Sequence, residues 1–557
     1  MRLSPLDSEA VRTEADVRIT MRDGVVLRAD VYHLVGASAP RAAILVRTPY
    51  GKRLLPSAQL EELRRFVAHG YTVVIQDIRG KHASDGVFRI GRGNRADGYD
   101  TLDWIAAQDW CDGSVGAWGC SYLGENQVYL ATTGHPALKA CIPMAAGAAM
   151  GTAGGRYARW GFRNPGGHLF LRTFAEWYAR FATSQGRTDE DRVEAVLSLL
   201  EARETPPDAL MARCGLPDAE WREIIGLDHQ SPYWHGTDYL NEGEAITAPL
   251  LIIDSWFDPA IASGLALFDY VRGHGANETI KSESRLIVAP TCHCAMQKAT
   301  EQTVVGDRVV GDARLDWSRL YLDWFDRWLR SSPKAPRPLA TVYEIGANRW
   351  REESIWPIPA KASAHYIAPG GSLVDQASGE VGRLTLVTDP KSLVPTLGGT
   401  GFGLGKSGAV DQSSLFDRHD VAVFQSDPLV SDLSICGTSN VILYVSSARE
   451  DCDLFVTLLD LAPDGVAFNI QDGSLRGYCR EGPAASPTPM ESGVVYALDI
   501  EIGATFTRLS TGHRLGLMVS TTSYPNYPAP TVKNAITLHF GGEHPSRFEY
   551  SALRDLK

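Results

Sequence analysis

The feature that most constrains the fold is an alternation of short apolar segments with helical patterns. In the first 145 residues, continuously apolar segments of strand length alternate with stretches that have helical periodicity. The predicted strands are Ala42–Val46, Thr72–Gln76, Val115–Trp118 and Leu138–Pro143, and the predicted helices lie near 59–69, 99–108 and 122–134. Strands that are apolar along their whole length, with helices between them, indicate a parallel sheet covered on both faces.

This alternation stops near residue 146 and resumes after residue 248. The intervening segment has helical runs but no convincing strand. The helical runs are His168–Ala182 and Glu190–Ala202; the later strands are Pro249–Asp254 and Arg285–Ala289, and an amphipathic helix follows at Trp317–Leu329. We therefore expect one α/β domain, residues 1–145 and 242–335, interrupted by a helical insertion, residues 146–241. Such an insertion would cover the carboxyl ends of the strands, where ligands bind.

From residue 338 onward the pattern changes to many short β-type segments separated by turns. Pro463-Asp464-Gly465 is one such turn, and the first β segment is Ala340–Ile345. A plausible linker, Lys334–Pro338, precedes them. The last part of the chain, residues 338–557, is therefore predicted to be an all-β sandwich or jelly-roll.

Composition excludes some classes of partner. The net charge of −12 argues against nucleic acid, which favours a basic face. No apolar run is long enough to span a membrane, and the first residues lack the apolar core of a signal peptide. We therefore expect a cytoplasmic protein whose nine scattered cysteines are free thiols. The oligomeric state stays open, with a homo-oligomer as one option.

No cofactor or metal ion is expected. Cys292-His293-Cys294 resembles a zinc ligand set, but three adjacent residues on a short loop cannot easily face one ion, and no second ligand cluster follows. Gly401–Ser407 resembles the end of a phosphate-binding loop, yet Thr400 stands where the first glycine belongs and no helix follows. We interpret it as a flexible loop.

The strongest chemical motif is Gly119-Cys-Ser121-Tyr122-Leu-Gly124, at a predicted strand-to-helix junction. A serine on such a turn exposes its hydroxyl at the carboxyl edge of the sheet, in front of backbone N–H groups that can stabilise an oxyanion. The second glycine lies one residue later than in the common Gly-x-Ser-x-Gly motif. The alternative is a buried serine in an ordinary turn, and Cys120 is interpreted as a core thiol.

A nucleophilic serine needs a base and an acid that orients the base, in the order Ser, acid, His. Two carboxylates compete for the acid: Asp254 ends a strand and could pair only with backbone, whereas Asp258 lies in the loop beyond the sheet edge. His293 follows the next strand, whereas His274 lies in a polar segment typical of the surface. Ser121, Asp258 and His293 therefore form the predicted triad.

With these residues in place, the sequence resembles the cocaine-esterase and X-Pro dipeptidyl-peptidase group of serine hydrolases, which includes the α-amino-acid ester hydrolases. The resemblance covers nearly the whole chain. It rests on Arg47-Thr-Pro-Tyr50-Gly-Lys, Asp77-Ile-Arg-Gly80, Ser84-Asp-Gly86, Asp97-Gly-Tyr-Asp100, Trp110-Cys-Asp-Gly113, the serine turn, Trp256-Phe-Asp258 and His293, with Asp411-Gln412 and Gly512-His513 in the last domain. It implies an α/β-hydrolase domain with a helical cap insertion, followed by a jelly-roll domain.

The resemblance also implies residue roles. Ser121 would be the nucleophile, His293 the base and Asp258 its partner, while the Tyr122 N–H and the Tyr50 phenol would bind the oxyanion. A departure from the family is Ala260, since relatives often have an aromatic residue there that lines the acyl pocket. Further candidates for substrate binding are Trp256, Glu176 and Trp177.

The sequence thus predicts a serine hydrolase that cleaves an ester or amide of a small molecule through an acyl-enzyme. Two alternatives stay open. A dipeptidyl- or aminopeptidase would need a carboxylate for the substrate ammonium, and Glu176 and Asp189–Asp191 are available. A non-catalytic protein that binds carbohydrate through its β domain is the other, although the complete triad argues against it.

Overall fold

The computed structural model describes residues 10–147, 162–181, 190–228, 231–332, 337–402, 407–483 and 485–553. Within these ranges the first large sheet has ten strands. Its strands are β1 (Val11–Thr20), β2 (Val26–Leu34), β3 (Arg41–Thr48), β4 (Thr72–Asp77), β5 (Cys111–Cys120), β6 (Leu138–Met144), β7 (Leu251–Phe257), β8 (Arg285–Cys292), β11 (Ala340–Glu344) and β12 (Arg349–Glu353). The strands β9 (Thr303–Val305) and β10 (Arg308–Gly311) form a separate two-stranded sheet.

The strand order is β1-β2-β4-β3-β5-β6-β7-β8-β11-β12. The strands from β4 to β11 in this order are parallel to one another, and antiparallel strands close both edges. The central strands β3, β4, β7 and β8 are almost wholly buried, as their uninterrupted apolar sequences predict.

Helices cover both faces of this sheet. The helices in the described ranges are α1 (Ser57–Ala68), α2 (Asn94–Ala106), α3 (Tyr122–Ala131), α4 (Leu171–Phe181), α5 (Glu190–Ala202), α6 (Leu210–Arg213), α7 (Ala219–Ile225), α8 (Ile261–His274), α9 (Glu278–Glu283) and α10 (Trp317–Leu329). Helices α4 to α7 belong to the predicted insertion, and every residue of α3 is buried. None of the helices in the described part of the chain is long and apolar enough to cross a membrane.

The insertion leaves the sheet after β6 and returns before β7, and the two strands pair poorly there. Their ladder contains the pair Met144–Ile253, with an isolated bridge between Cys141 and Leu250. By contrast, β5 and β6 pair from Val115–Leu138 to Cys120–Met144. We call the β6/β7 boundary the seam, because it divides the sheet into two halves that share few backbone hydrogen bonds.

The second large sheet has eleven strands. They are β13 (Lys361–Ala368), β14 (Ser372–Val374), β15 (Gly382–Thr388), β16 (Val421–Gln425), β17 (Leu433–Ser447), β18 (Asp453–Leu461), β19 (Ala467–Arg476), β20 (Val495–Leu509), β21 (Arg514–Ser520), β22 (Asn534–Phe540) and β23 (Arg547–Leu553). Their pairing is antiparallel except between β14 and β16. The predicted fold, an α/β-hydrolase domain with a helical insertion followed by an all-β domain, is confirmed.

One strand assignment differs from the prediction. The segment expected to open the all-β domain is β11, which pairs in parallel with β8 and extends the first sheet. Its sequence is that of a buried strand in either context, so periodicity could not assign it to a sheet. The next residue, Ile345, bridges to Thr507 of β20, and the buried Glu344 carboxylate accepts hydrogen bonds from Ser434 and Arg508. The junction between the domains is therefore a packed interface.

Candidate active site

Ser121 lies between β5 and α3 in a strained turn. Its φ is +65° and its ψ is −130°, a conformation that non-glycine residues rarely adopt and that is typical of functional sites. A Cβ at Gly124 would lie 2.7 Å from the Met144 carbonyl oxygen, so α3 crosses β6 too closely for any side chain there. The late glycine is thus required by the contact between helix and strand.

Asp258 and His293 follow the adjacent strands β7 and β8 and contact each other. The distance between Asp258 Oδ2 and His293 Nδ1 is 2.8 Å. The other carboxylate oxygen accepts the Ala260 N–H at 2.8 Å, and the Asp258 side chain is fully buried. With Nδ1 bound to the carboxylate, the other ring nitrogen of His293 is left for a substrate or nucleophile.

Asp254, the competing carboxylate, is also buried, but its described hydrogen bond is to the Ser255 N–H. Its second oxygen is buried without a hydrogen-bond partner. Burial raises the pKa of Asp254 well above its usual range, and the charge of Asp258 raises it further. Of the two candidates, Asp258 is the one that contacts His293.

Tyr50 brings its hydroxyl to the serine turn. Its Oη lies 3.4 Å from Ser121 Oγ and accepts a hydrogen bond from Trp177 Nε1 at 3.2 Å. Burial raises the pKa of Tyr50, against the opposing effect of hydrogen bonds from Ser121, Trp177 and the Tyr122 backbone amide. The phenol therefore stays protonated and can donate. In the described contacts, Ser121 and His293 are not hydrogen-bonded to each other, as is common in hydrolases without substrate.

The Tyr122 side chain is a structural support. Its hydroxyl accepts hydrogen bonds from the Gly91 N–H at 3.2 Å and from Asn94 Nδ2 at 3.3 Å. Its ring stacks on Trp177, with the ring centroids 6.4 Å apart. These contacts fix the first residue of α3, whose backbone N–H lies beside the Tyr50 hydroxyl.

A small cavity opens at Ser121. Three parts of the chain line it: the α/β domain, the insertion and the segment after β15. The lining residues are Tyr50, Ile90, Ser121, Tyr122, Glu125, Phe162, Phe174, Trp177, Tyr239 and Phe402. The Phe402 ring also packs on His293, with the centroids 4.6 Å apart. The walls are therefore mostly aromatic, with Glu125 as the ionisable carboxyl group.

Glu125 was not expected from the sequence. It lies one turn into α3, four residues after Ser121, and accepts a hydrogen bond from the Tyr129 hydroxyl at 3.2 Å. Burial raises its pKa to about 7, against the opposing effect of that hydrogen bond. An acidic residue within a wholly buried helix was the available signal. Phe402 gave none, because it lies in a loop far along the chain from His293.

The other predicted substrate contacts are placed differently. Trp177 lines the cavity, but Trp256 is fully buried in the core, where its indole N–H donates to the Tyr343 carbonyl at 2.7 Å. That prediction is wrong because the motif residue points into the protein. Ala260 is also buried, and its backbone N–H holds Asp258.

Glu176 does not line the Ser121 cavity. It forms an ion pair with Arg180 at 3.3 Å and lines a neighbouring pocket that includes Gly398 and Phe402. The other carboxylates predicted to bind a substrate ammonium were those of Asp189–Asp191, and of these Asp189 lies outside the described residues.

Cys120 is not a free thiol. It forms a disulfide with Cys294, whereas seven other cysteines are free. The prediction of free thiols throughout is therefore wrong for this pair. The reason is spatial: the two residues are separated by 174 positions in sequence, but their Cα atoms lie 6.0 Å apart, which no spacing rule reveals.

A parallel sheet that presents a strained serine turn, followed by a carboxylate–histidine pair after the next strands, defines a serine hydrolase of the α/β-hydrolase class. The family profile of X-Pro dipeptidyl-peptidase (S15 family) matches residues 23–295, and that of the X-Pro dipeptidyl-peptidase C-terminal non-catalytic domain matches residues 334–549. The cocaine esterase of Rhodococcus sp. (strain MB1 Bresler) is 31% identical over 578 residues, which cover 96% of this chain and 97% of the relative. The chain belongs to this family of serine hydrolases.

Solved structures agree on the fold. An aminopeptidase from a marine sediment archaeon, Thaumarchaeota archaeon, superposes with a TM-score of 0.81 at 22% identity, covering 100% of this chain and 98% of the other. An α-amino acid ester hydrolase superposes with a TM-score of 0.82 at 22% identity, covering 98% and 97%. The three-part architecture is therefore shared along nearly the whole length of both proteins.

Proposed function

We propose that the protein hydrolyses esters of small molecules through an acyl-enzyme, as its similarity to a cocaine esterase suggests. The observation that carries this proposal is a carboxylate–histidine contact and a serine–phenol contact, with Phe402 both lining the Ser121 cavity and packing on His293. His293 Nδ1 lies 2.8 Å from Asp258 Oδ2, and the Tyr50 hydroxyl lies 3.4 Å from Ser121 Oγ. The first contact prepares a base, and the second places a donor where negative charge develops.

In the proposed reaction, Ser121 Oγ attacks the substrate carbonyl carbon while His293 Nε2 takes the hydroxyl proton. The Tyr50 O–H and the Tyr122 backbone N–H donate to the oxyanion. As the tetrahedral intermediate collapses, His293 gives the proton to the leaving group, and the acyl group stays on Ser121. Water then attacks the acyl-enzyme, His293 accepts its proton, and the proton returns to Ser121 as the acid leaves. Asp258 holds the imidazole tautomer throughout.

The test is to replace the nucleophile and locate the acylated residue. Ser121→Ala should lower kcat for p-nitrophenyl butyrate by at least about 10⁴-fold, with an unchanged thermal midpoint. A fluorophosphonate probe should label the wild-type peptide that contains Ser121. Ser114→Ala, at the partly exposed start of β5, is the matched control and should keep full activity. Labelling at another residue, or an active Ser121→Ala variant, would refute the proposal.

A second candidate is supported by Glu125. The Glu125 carboxyl is buried and lines the cavity, among aromatic rings. Burial and the hydrogen bond from Tyr129 account for the shift of its pKa, and no cationic side chain in the described part of the chain contributes to it. A substrate ammonium would ionise this carboxyl and pair with it, while the rings contact the cation. This favours aminoacyl esters or amides, including X-Pro dipeptides, after which the matching S15 peptidase family is named.

Substrate comparison separates the two candidates. If an ammonium is recognised, Glu125→Gln should lower kcat/KM for an aminoacyl p-nitroanilide or Gly-Pro-p-nitroanilide by ten-fold or more and leave p-nitrophenyl butyrate within about twofold. Equal effects on all three substrates would exclude the ammonium. Glu176→Gln is the control, because its carboxylate already pairs with Arg180.

We also propose the finer organisation. The boundaries are 1–145 and 242–335 for the catalytic domain, 146–241 for the insertion and 338–557 for the β domain, with the modification that residues 340–353 complete the catalytic sheet. The β domain is proposed to be a jelly-roll. The protein is proposed to act on a small molecule and without nucleic acid, given its net charge of −12. The cytoplasmic location stays a prediction from the sequence, and the Cys120–Cys294 disulfide, a kind of bond that is rare in the cytosol, argues against it. Sedimentation would measure whether it forms a homo-oligomer.

A further inference from the structure

The Cys120–Cys294 disulfide connects the two turns that carry the catalytic side chains. Cys120 immediately precedes Ser121, and Cys294 immediately follows His293. Cys294 has a positive φ of +53°, and Ser121 has one of +65°, so each catalytic group lies in or beside a tight turn. A covalent bond between these neighbours limits how far the two turns can separate.

The bond spans a long distance across the sheet. In the strand order, β5 and β8 are separated by β6 and β7, which puts their ends about 14 Å apart, at three strand spacings. The Cα atoms of Cys120 and Cys294 are nevertheless 6.0 Å apart. The chain after β8 therefore folds back over the ends of β7 and β6 and reaches the serine turn.

This path crosses the seam between β6 and β7. Ser121 and Tyr50 lie on one side of it, while Asp258 and His293 lie on the other. The described contacts include no hydrogen bond between Ser121 and His293, and the β6/β7 ladder itself is short. The disulfide is thus a covalent link between the residue before the nucleophile and the residue after the base, across the shortest strand ladder of this sheet.

We propose that Cys120 and Cys294 are positioning residues whose disulfide holds His293 within reach of Ser121, so that hydrolysis depends on the oxidation state of this pair. The proposal rests on the proposed function. A correctly placed base is worth several orders of magnitude in rate, and a displacement of about 1 Å can cost 10²-fold. Loss of the bond should therefore lower kcat far more than it changes KM.

The two sulfur atoms differ in access. Cys120 is buried, whereas Cys294 is partly exposed. A dithiol thiolate would attack the Cys294 sulfur, releasing Cys120 as the thiolate, which then takes a proton. The second dithiol sulfur displaces Cys294 from the mixed disulfide. The products are two protein thiols and one cyclic disulfide, so the protein gains two electrons and two protons from the reductant.

The first experiment establishes the bond. Mass spectrometry of a non-reduced digest should find a peptide pair linked through Cys120 and Cys294, and denatured protein should give seven titratable thiols, rising to nine after reduction. Nine thiols before reduction would overturn the proposal. Activity of the oxidised wild type on p-nitrophenyl butyrate is measured alongside, and its absence would instead refute the proposed function.

The second experiment measures kcat and KM at 25 °C, before and after reduction by dithiothreitol. Reduction should lower kcat at least ten-fold with KM within twofold, and reoxidation with oxidised glutathione should restore kcat. The Cys120→Ala/Cys294→Ala variant should have the low kcat without reductant and be insensitive to it. Cys214→Ser, at the end of α6, should behave as wild type.

The pH dependence separates positioning from stability. If the bond aligns the base, the acidic limb of the pH profile of kcat should change position on reduction. An unchanged kcat and unchanged pH profile with only a lower thermal midpoint would overturn the proposal and leave a structural crosslink. If the native bond resists dithiothreitol, the double variant provides the same comparison.

Discussion

The two halves of the catalytic sheet place their functional groups by different means. On the nucleophile side, from β1 to β6, the conformation of Ser121 follows from its neighbours, because Gly124 lets α3 approach β6. On the acid–base side, from β7 to β12, the position of His293 depends on distant residues. Phe402 packs on its ring, and Cys294 is bonded to Cys120. Local sequence therefore determines the nucleophile, whereas tertiary contacts determine the base.

The β domain takes part in this second kind of placement. Gln471 of β19 donates a hydrogen bond to the Trp256 carbonyl at the end of β7, two residues before Asp258. The acid–base half is thus supported by the β domain, while on the nucleophile side Tyr50 and Tyr122 are contacted by Trp177 of the insertion. Variants in the two halves should differ accordingly.

The largest effect is expected in the acid–base half. Asp258→Asn should lower kcat for p-nitrophenyl butyrate by about 10⁴-fold, because the amide no longer holds the required imidazole tautomer. Asp254→Asn is the matched control: Asp258, rather than Asp254, contacts His293, so kcat should fall less than ten-fold. Equal losses in both variants would mean that the acid is shared between the two carboxylates.

On the nucleophile side, Tyr50→Phe should lower kcat by about 10²–10³-fold with little change in KM, since one oxyanion donor is lost. Tyr122→Phe provides the contrast, because the donor there is the backbone N–H. That variant should lose thermal stability, as Gly91 and Asn94 lose an acceptor, with kcat reduced less than ten-fold. A larger loss of kcat in Tyr122→Phe than in Tyr50→Phe would show that the Tyr50 hydroxyl is not an oxyanion donor.

Glu125 should make the stability of this half depend on pH. Its folded pKa is raised from 4.5 to about 7, so between these values the folded state binds more protons than the unfolded state and stability falls as pH rises. Glu125→Gln removes this cost, worth up to about 3 kcal/mol above pH 7. Urea unfolding at pH 5 and pH 8 should show the variant stabilised mainly at pH 8. Glu204→Gln, exposed two residues after the end of α5, should show no such difference.

The smallest effect is expected from a test of whether the close contact between α3 and β6 at Gly124 determines the conformation of the serine turn. Gly124→Ala places a methyl group 2.7 Å from the Met144 carbonyl, which should cost about 1–3 kcal/mol of stability and lower kcat as α3 shifts. Gly273→Ala in α8 has open space around its Cβ and should be neutral or stabilising. Denaturant unfolding of both variants measures the difference. A fully stable Gly124→Ala would show that the turn tolerates a side chain.

The sequence predicted the features that follow from hydrophobic periodicity and from the order of residues along the chain. The strands before and after the insertion, the helix Trp317–Leu329 and the Ser121, Asp258 and His293 set all followed from local patterns. It did not predict that β11 joins the first sheet, because a buried strand has the same apolar residue pattern whichever sheet it belongs to. It also could not predict the contact of Phe402 with His293 or the Cys120–Cys294 bond, since both depend on the path of the chain in space.

The hydrogen bond from Gln471 to Trp256 and the contact of Phe402 with His293 have a consequence for biosynthesis. A ribosome completes Ser121 early and His293 about midway, but the residues that support the base are made more than a hundred positions later. The nascent chain therefore cannot reach its final catalytic geometry until residue 471 has emerged from the exit tunnel. We therefore expect hydrolytic competence to arise only after most of the polypeptide has been translated.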